Sequence, residues 1–143
     1  MKISTKGRYS LRMMADLAQH YHEGFTALKE ISARQNISKK YLEQIVPLLS
    51  RNNLLHANKG HMGGYQLSRR PCDITVREIL ESAEGSLAPV ACMDNAPNLC
   101  ENAEDCLTLP VYKGLYDVIL EYLNGITLQD MIDNQPDNCE YYI

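Results

Sequence analysis

Thr26-Ala27-Leu28-Lys29-Glu30-Ile31-Ser32-Ala33-Arg34, then Gln35-Asn36-Ile37, then Ser38-Lys39-Lys40-Tyr41-Leu42-Glu43-Gln44-Ile45 is the run that decides the fold. Thr26 is a good N-cap for a short helix, and Ser38 is one for a longer helix over residues 39–51. Leu42, Ile45 and Leu49 fall on one side of that second helix. Short helix, tight turn and capped helix make the helix-turn-helix pattern, whose second helix lies in the DNA major groove. Ser38, Lys39, Lys40, Glu43, Gln44 and Pro47 share its outward face. Glutamine can pair with adenine, glutamate can accept from a cytosine amino group, and lysine can reach guanine or phosphate. A carboxylate among phosphates repels, so Glu43 would discriminate more than it binds. The competing reading is a solvated face on which Glu43 pairs with Lys39 or Lys40. Pro47 removes a backbone donor and should bend the helix near its middle.

Upstream, Leu11, Met14, Ala15, Ala18 and Tyr21 recur at helical spacing, predicting a helix over residues 6–22 that Gly24 ends. Downstream, residues 54–57 and 65–67 can form two strands around Asn58-Lys59-Gly60-His61-Met62-Gly63-Gly64. Such a glycine-rich hairpin tip has the form of a wing. Lys59 sits at its tip, placed for the minor groove or its phosphates, with Gly60 and His61 beside it. No Gly-Lys-Ser/Thr follows, so a nucleotide-phosphate loop is not expected. Thr75-Val76-Arg77-Glu78 is a capping box opening another helix, which Gly85 closes.

The charge map fits this division. Over 143 residues the net charge is −4, yet residues 1–70 hold 12 of the 14 basic and 4 of the 18 acidic residues, leaving +8 there and −12 beyond. A basic half suits phosphates, and the acidic remainder keeps the protein soluble; two solvated faces of unequal sign would look the same in composition. No apolar run is long enough to span a membrane and the N-terminus has no signal core, so the expected location is cytoplasmic, with no membrane partner.

Residues 86–107 have no period and contain Cys92, Cys100 and Cys106, spaced C-x7-C-x5-C. Neither the usual zinc pairs nor a C-x-x-C redox motif is present. Three thiolates on one loop could wrap an iron–sulfur cluster, which takes soft sulfur ligands. Cys72 reads as a packed small residue and Cys139 as an exposed tail thiol. The histidines show no i, i+4 metal pair and read as structural or surface residues. Beyond the loop, Val111, Leu115, Val118, Ile119, Tyr122 and Leu123 form an apolar stripe on a long helix stopped by Gly125, and Leu128, Met131 and Ile132 mark a last short helix.

Met1 to Tyr9, Ser38-x-x-Tyr41-Leu42-Glu43-Gln44-Ile45, Gly60-x-x-Gly63-Gly64-Tyr65-x-Leu67 and Asn124-Gly125-Ile126-Thr127-Leu128 resemble the Rrf family of bacterial winged-helix transcription regulators, IscR-type above all and CymR-type also. The resemblance covers almost the whole chain. It implies a mainly α fold with a small β-wing: a winged helix-turn-helix domain over 1–85, a cysteine-containing cluster-binding loop over 86–107, and a dimerisation helix with C-terminal tail over 108–143. It implies a homodimer on a palindromic double-stranded operator. The candidate DNA contacts are Ser38, Lys39, Lys40, Tyr41, Glu43, Gln44, Lys59, Gly60 and His61, with Glu43 tuning which operators are tolerated. The family often has arginine where this wing has Lys59, which lacks the planar fork.

IscR-type members carry three cysteines in this same loop, and CymR-type members lack them. The resemblance thus implies a 2Fe-2S or 4Fe-4S cluster on Cys92, Cys100 and Cys106. The histidine that IscR-type members place three residues after the third cysteine is here Leu109, and Lys6-Gly7-Arg8-Tyr9 offers no carboxylate from a partner's first helix. Asp94, Glu101, Glu104, Asp105, an exogenous thiol or water remain open as the fourth ligand. Two functions follow. One is a regulator, expected to be a repressor, that senses iron–sulfur or redox status. The other is a cluster-free repressor of cysteine or sulfur metabolism answering thiol oxidation or a partner enzyme. Cysteine-biosynthesis or cluster-assembly proteins are the expected protein partners. No catalytic constellation is present, so an enzyme is not expected.

Overall fold

The computed structural model describes residues 2–60, 63–94 and 103–134. Helix α1 (Thr5–Gln19) starts at Ser4, whose side chain accepts the Gly7 amide at 3.1 Å. It ends before the expected His22, because Tyr21–Glu23 wind into a separate 3-10 turn that leads to Gly24 at φ 79°. Helix α2 (Leu28–Gln35) is capped at Ala27, not Thr26, with the Glu30 carboxylate accepting the Ala27 amide at 3.2 Å. Thr26 is drawn into the sheet instead: its amide and carbonyl both bond Tyr65 at 2.8 Å. Two backbone bonds outweigh one capping bond. Asn36, left-handed at φ 53°, turns the chain into helix α3 (Lys39–Arg51). The Ser38 hydroxyl accepts the Tyr41 amide at 3.1 Å, and the helix runs continuously across Pro47.

Strands β1 (Leu55–Asn58) and β2 (Gly64–Leu67) pair antiparallel, with Leu55 opposite Leu67 and Asn58 opposite Gly64. A Cβ at Gly64 would come within 2.4 Å of the Thr26 carbonyl oxygen, so only glycine allows the third segment to approach the wing. Helix α4 (Val76–Glu84) opens with the expected capping box. The Glu78 amide donates to Thr75 Oγ1 at 3.2 Å, and the Thr75 amide donates to Glu78 Oε2 at 2.9 Å. It lies against α1, and its Glu84 carboxylate accepts the Ser4 amide and hydroxyl at 2.9 and 2.6 Å.

The main core joins Met13, Met14 and Leu17 of α1 to Ile31 of α2, Leu42, Ile45 and Leu49 of α3, Leu54, Ile74 and Ile79. The C-terminal part closes it. Helix α5 (Leu109–Asn124) lies along α4, and helix α6 (Leu128–Asp133) returns to α1 and fills the core with Leu128, which is fully buried. That return is fixed by a bridge between Thr75 and Thr127, where the Val76 amide donates to the Ile126 carbonyl (2.8 Å) and the Leu128 amide to Ile74 (3.0 Å). Among the described residues no helix is long and apolar enough to cross a membrane.

Candidate nucleic-acid interface and cysteine loop

Alternation of buried and exposed positions on α3 sets the candidate reading face. Leu42, Ile45 and Leu49 anchor the helix, so Lys39, Lys40, Glu43 and Gln44 stand exposed on the opposite side. Ser38 is exposed too, but its oxygen is engaged as the cap. Tyr41 is half-buried and meets Tyr9 of α1 edge-to-face, with ring centres 5.2 Å apart. Among the described residues Glu43 makes no ion pair with Lys39 or Lys40, so the carboxylate is left to the solvent face. At the wing, Lys59 and Gly60 are exposed, and the Gly60 amide donates to Asn58 Oδ1 at 3.1 Å. His61 lies outside the described residues.

A carboxylate that composition counted only as charge underpins this face. Asp16, on the inner side of α1, is 1% exposed and binds Arg34 of α2 through two hydrogen bonds, 3.0 and 2.7 Å, and Gln35 through a third at 3.0 Å. Burial acts to raise its pKa, but the hydrogen bonds from Arg34 and Gln35 and the Arg34 charge outweigh it and hold the carboxyl below the usual range. The pair locks α1 to the end of α2 just before the turn into α3. The sequence signal was an aspartate among apolar residues of an amphipathic helix, with Arg34 its partner only in space.

The cysteine region is described in part. Cys92 lies exposed on the 3-10 turn Ala91–Met93, Cys106 is half-buried, and Cys100 lies outside the described residues. The Cys106 sulfur is 3.3 Å from Thr108 Oγ1 at the start of α5. Hydrogen bonds from the Thr108 side chain, then from the Thr108 and Leu109 backbone, lower its pKa and favour the thiolate. Such a donor suits a soft metal centre. Leu109, 7% exposed, turns inward and offers no ligand. Among the described residues no group of three His, Cys, Asp or Glu is gathered at one point. Cys72 is exposed rather than packed.

The α5 stripe divides. Val111, Leu115, Val118 and Tyr122 are 67, 39, 62 and 67% exposed. Ile119 is half-buried, and Leu123 packs with Tyr116 and Leu120 against Val76, Leu80 and Leu87 of the same chain. The exposed four follow the alternating four- and three-residue steps of a helix-pairing seam.

The profile of the Rrf2 family, described as an iron-dependent transcriptional regulator, matches residues 3–134. This chain belongs to the Rrf2 family. It is 36% identical to the HTH-type transcriptional regulator IscR of Erwinia tasmaniensis over 135 residues, which are 94% of this chain and 81% of that protein. Among solved structures, T. potens IscR superposes with a TM-score of 0.75 at 36% identity, covering 99% of this chain and 97% of that one. CymR, the global cysteine regulator of B. subtilis, gives 0.74 at 36% identity, covering 95 and 99%. The mainly α winged-helix fold with its small sheet is therefore that of the Rrf2 regulators, and this Rrf2 protein is a DNA-binding transcriptional regulator, not an enzyme.

Proposed function

We propose that this Rrf2 protein is a cytoplasmic homodimer that represses palindromic operators and senses iron–sulfur or redox status through the loop between α4 and α5. The observation that carries the reading is the placement of Cys106, whose sulfur lies 3.3 Å from Thr108 Oγ1 at the start of α5, on a segment that also bears Cys92 and Cys100. These three residues would hold a 2Fe-2S or 4Fe-4S cluster. When bound, such a group supplies one-electron redox chemistry and sensitivity to oxidants. Ser38, Lys39, Lys40, Tyr41, Glu43 and Gln44 would read the major groove, and Lys59, Gly60 and His61 would follow the adjacent backbone. The exposed α5 seam would pair with its two-fold mate, setting two reading helices on one palindrome. Loop 86–107 joins the reading head to that seam, so a change in how its cysteines are held would alter head spacing and operator affinity. The proposed segment limits lie at 85 and 107, with α6 returning from beyond the second to complete the core of the head.

The test is anaerobic purification with iron and sulfide counting, then operator binding by protein with and without the cluster. Cys92→Ala, Cys100→Ala and Cys106→Ala should each abolish visible absorption, while Cys72→Ala and Cys139→Ala should leave it. A triple variant that binds every operator with wild-type affinity would remove the sensor role.

The buried Leu109 favours a second reading. A site lacking the histidine of IscR-type members suits a cluster-free repressor of cysteine or sulfur metabolism, answering thiol oxidation or a cysteine-biosynthesis or cluster-assembly partner. Colourless protein from anaerobic cells, with operator binding released by a mild thiol oxidant, would select it.

A further inference from the structure

Reading by a helix-turn-helix depends on where its second helix starts, because the first residues of that helix meet the base edges. Here the connection runs from Gln35, the last residue of α2, through left-handed Asn36 to the cap at Ser38. One side chain from outside the motif touches its first end directly and reaches the second through a neighbouring ring. Arg12 of α1 donates through Nη2 to the Gln35 carbonyl, and its guanidinium carbon lies 5.4 Å from the centre of the Tyr9 ring. Tyr9 in turn meets Tyr41 with the ring planes at 74°. Tyr41 belongs to the first turn of α3, between Lys40 and Leu42 and two residues before Glu43. The Gln35 side chain is held from the same helix, by buried Asp16.

We infer that Arg12 is a positioning residue for base reading: from α1 it fixes the connection that sets where residues 38–44 meet the groove. This role rests on the DNA-reading function proposed above. The guanidinium carbon lies over the Tyr9 ring while Nη2 donates to the Gln35 carbonyl, a fixed planar geometry that the compact ammonium of lysine, on its flexible stem, does not reproduce. A reading helix displaced by a fraction of an ångström keeps its attraction to phosphate but loses aligned base contacts, since base contacts carry the sequence information.

The test uses the full-length protein and two duplexes: one selected by the wild type from random sequence, and a scrambled duplex of equal length. Arg12→Ala, Arg12→Lys and Tyr9→Leu are titrated on both across a salt series, with a melting temperature for each variant. Each should weaken the selected duplex about 10-fold, the scale of one lost base contact. Binding to the scrambled duplex and the salt slope should stay at wild-type values. Tyr9→Leu removes no charge, so its agreement with Arg12→Ala separates positioning from phosphate attraction. Loss shared by both duplexes, with a salt slope lower by about one per subunit and rescue by Arg12→Lys, would make Arg12 a phosphate contact and overturn the inference. Loss equal on both duplexes that follows the melting temperature would reduce it to a structural residue. Unchanged selectivity in Arg12→Ala would overturn it outright. A wild type that selects no sequence would remove the DNA-reading function itself, and this role with it.

Discussion

α3 and α5 are both rich in apolar residues, but they use them differently. In α3 the apolar positions Leu42, Ile45 and Leu49 are all fully buried within the chain, and the exposed positions apart from Pro47 are charged or polar. In α5 only Leu109 is fully enclosed, while Val111, Leu115, Val118 and Tyr122 face outward. A helix that completes its burial within one chain can present a polar face to a ligand. A helix that leaves an apolar row uncovered has a second apolar surface still to meet. The contrast fits the proposed function, in which one helix serves recognition and the other assembly.

Breaking the α5 side should have the largest effect. Leu115→Asp should yield monomers by light scattering. Operator binding should fall by about 10²–10⁴-fold, because two linked heads bind far more tightly than one. A variant that stays dimeric would end the assignment of this face. Next is the burial that α6 supplies from the same C-terminal segment. Leu128→Ala should cost about 2–5 kcal/mol of stability, seen in chemical denaturation, with the dimer seam untouched.

Asp16→Ala should cost about 2 kcal/mol, below the range for fully buried pairs, because Arg34 is 35% exposed and can be hydrated. The same carboxylate predicts an acid limb. Its pKa is lower in the folded than in the unfolded chain, so its stabilisation is present above the ordinary carboxylate value and lost as pH falls through the folded one. Asp16→Asn should flatten the melting temperature over that acid interval.

The smallest effects belong to the reading face. Lys39→Ala, Lys40→Ala and Lys59→Ala should each weaken all sequences alike and lower the salt slope by about one per subunit. Glu43→Ala should retain or tighten binding while relaxing base preference, as selection from random duplexes would show. Uniform weakening by Glu43→Ala would deny it a discriminating role.

Much of the reading helix was legible because its signals are local. Ser38 caps α3, the Thr75–Glu78 pair caps α4, and Leu42, Ile45 and Leu49 repeat at helical spacing. Thr26 misled because its backbone partner, Tyr65, stands far along the chain and no short-range pattern reports it. Asp16 and Arg34 escaped for the same reason, since neither residue type announces a partner on another helix. The α5 stripe was legible as apolar but not as two rows, because Leu123 turns toward Val76 and Leu80 only once α4 is alongside. Cys106 could be picked out by spacing, but its bias toward thiolate depends on Thr108 and the backbone at the start of α5.

The Thr75–Thr127 bridge bears on how portable the reading head is. Ile126 and Leu128 share backbone bonds with Val76 and Ile74, and the Leu128 side chain completes the interior beneath α1. Cutting after α4 would therefore open a hole in the head rather than release it. The head is discontinuous in sequence, with its closing piece contributed after α5. Transplanting its specificity into another protein would require carrying α6 along, or supplying a substitute plug for the same space.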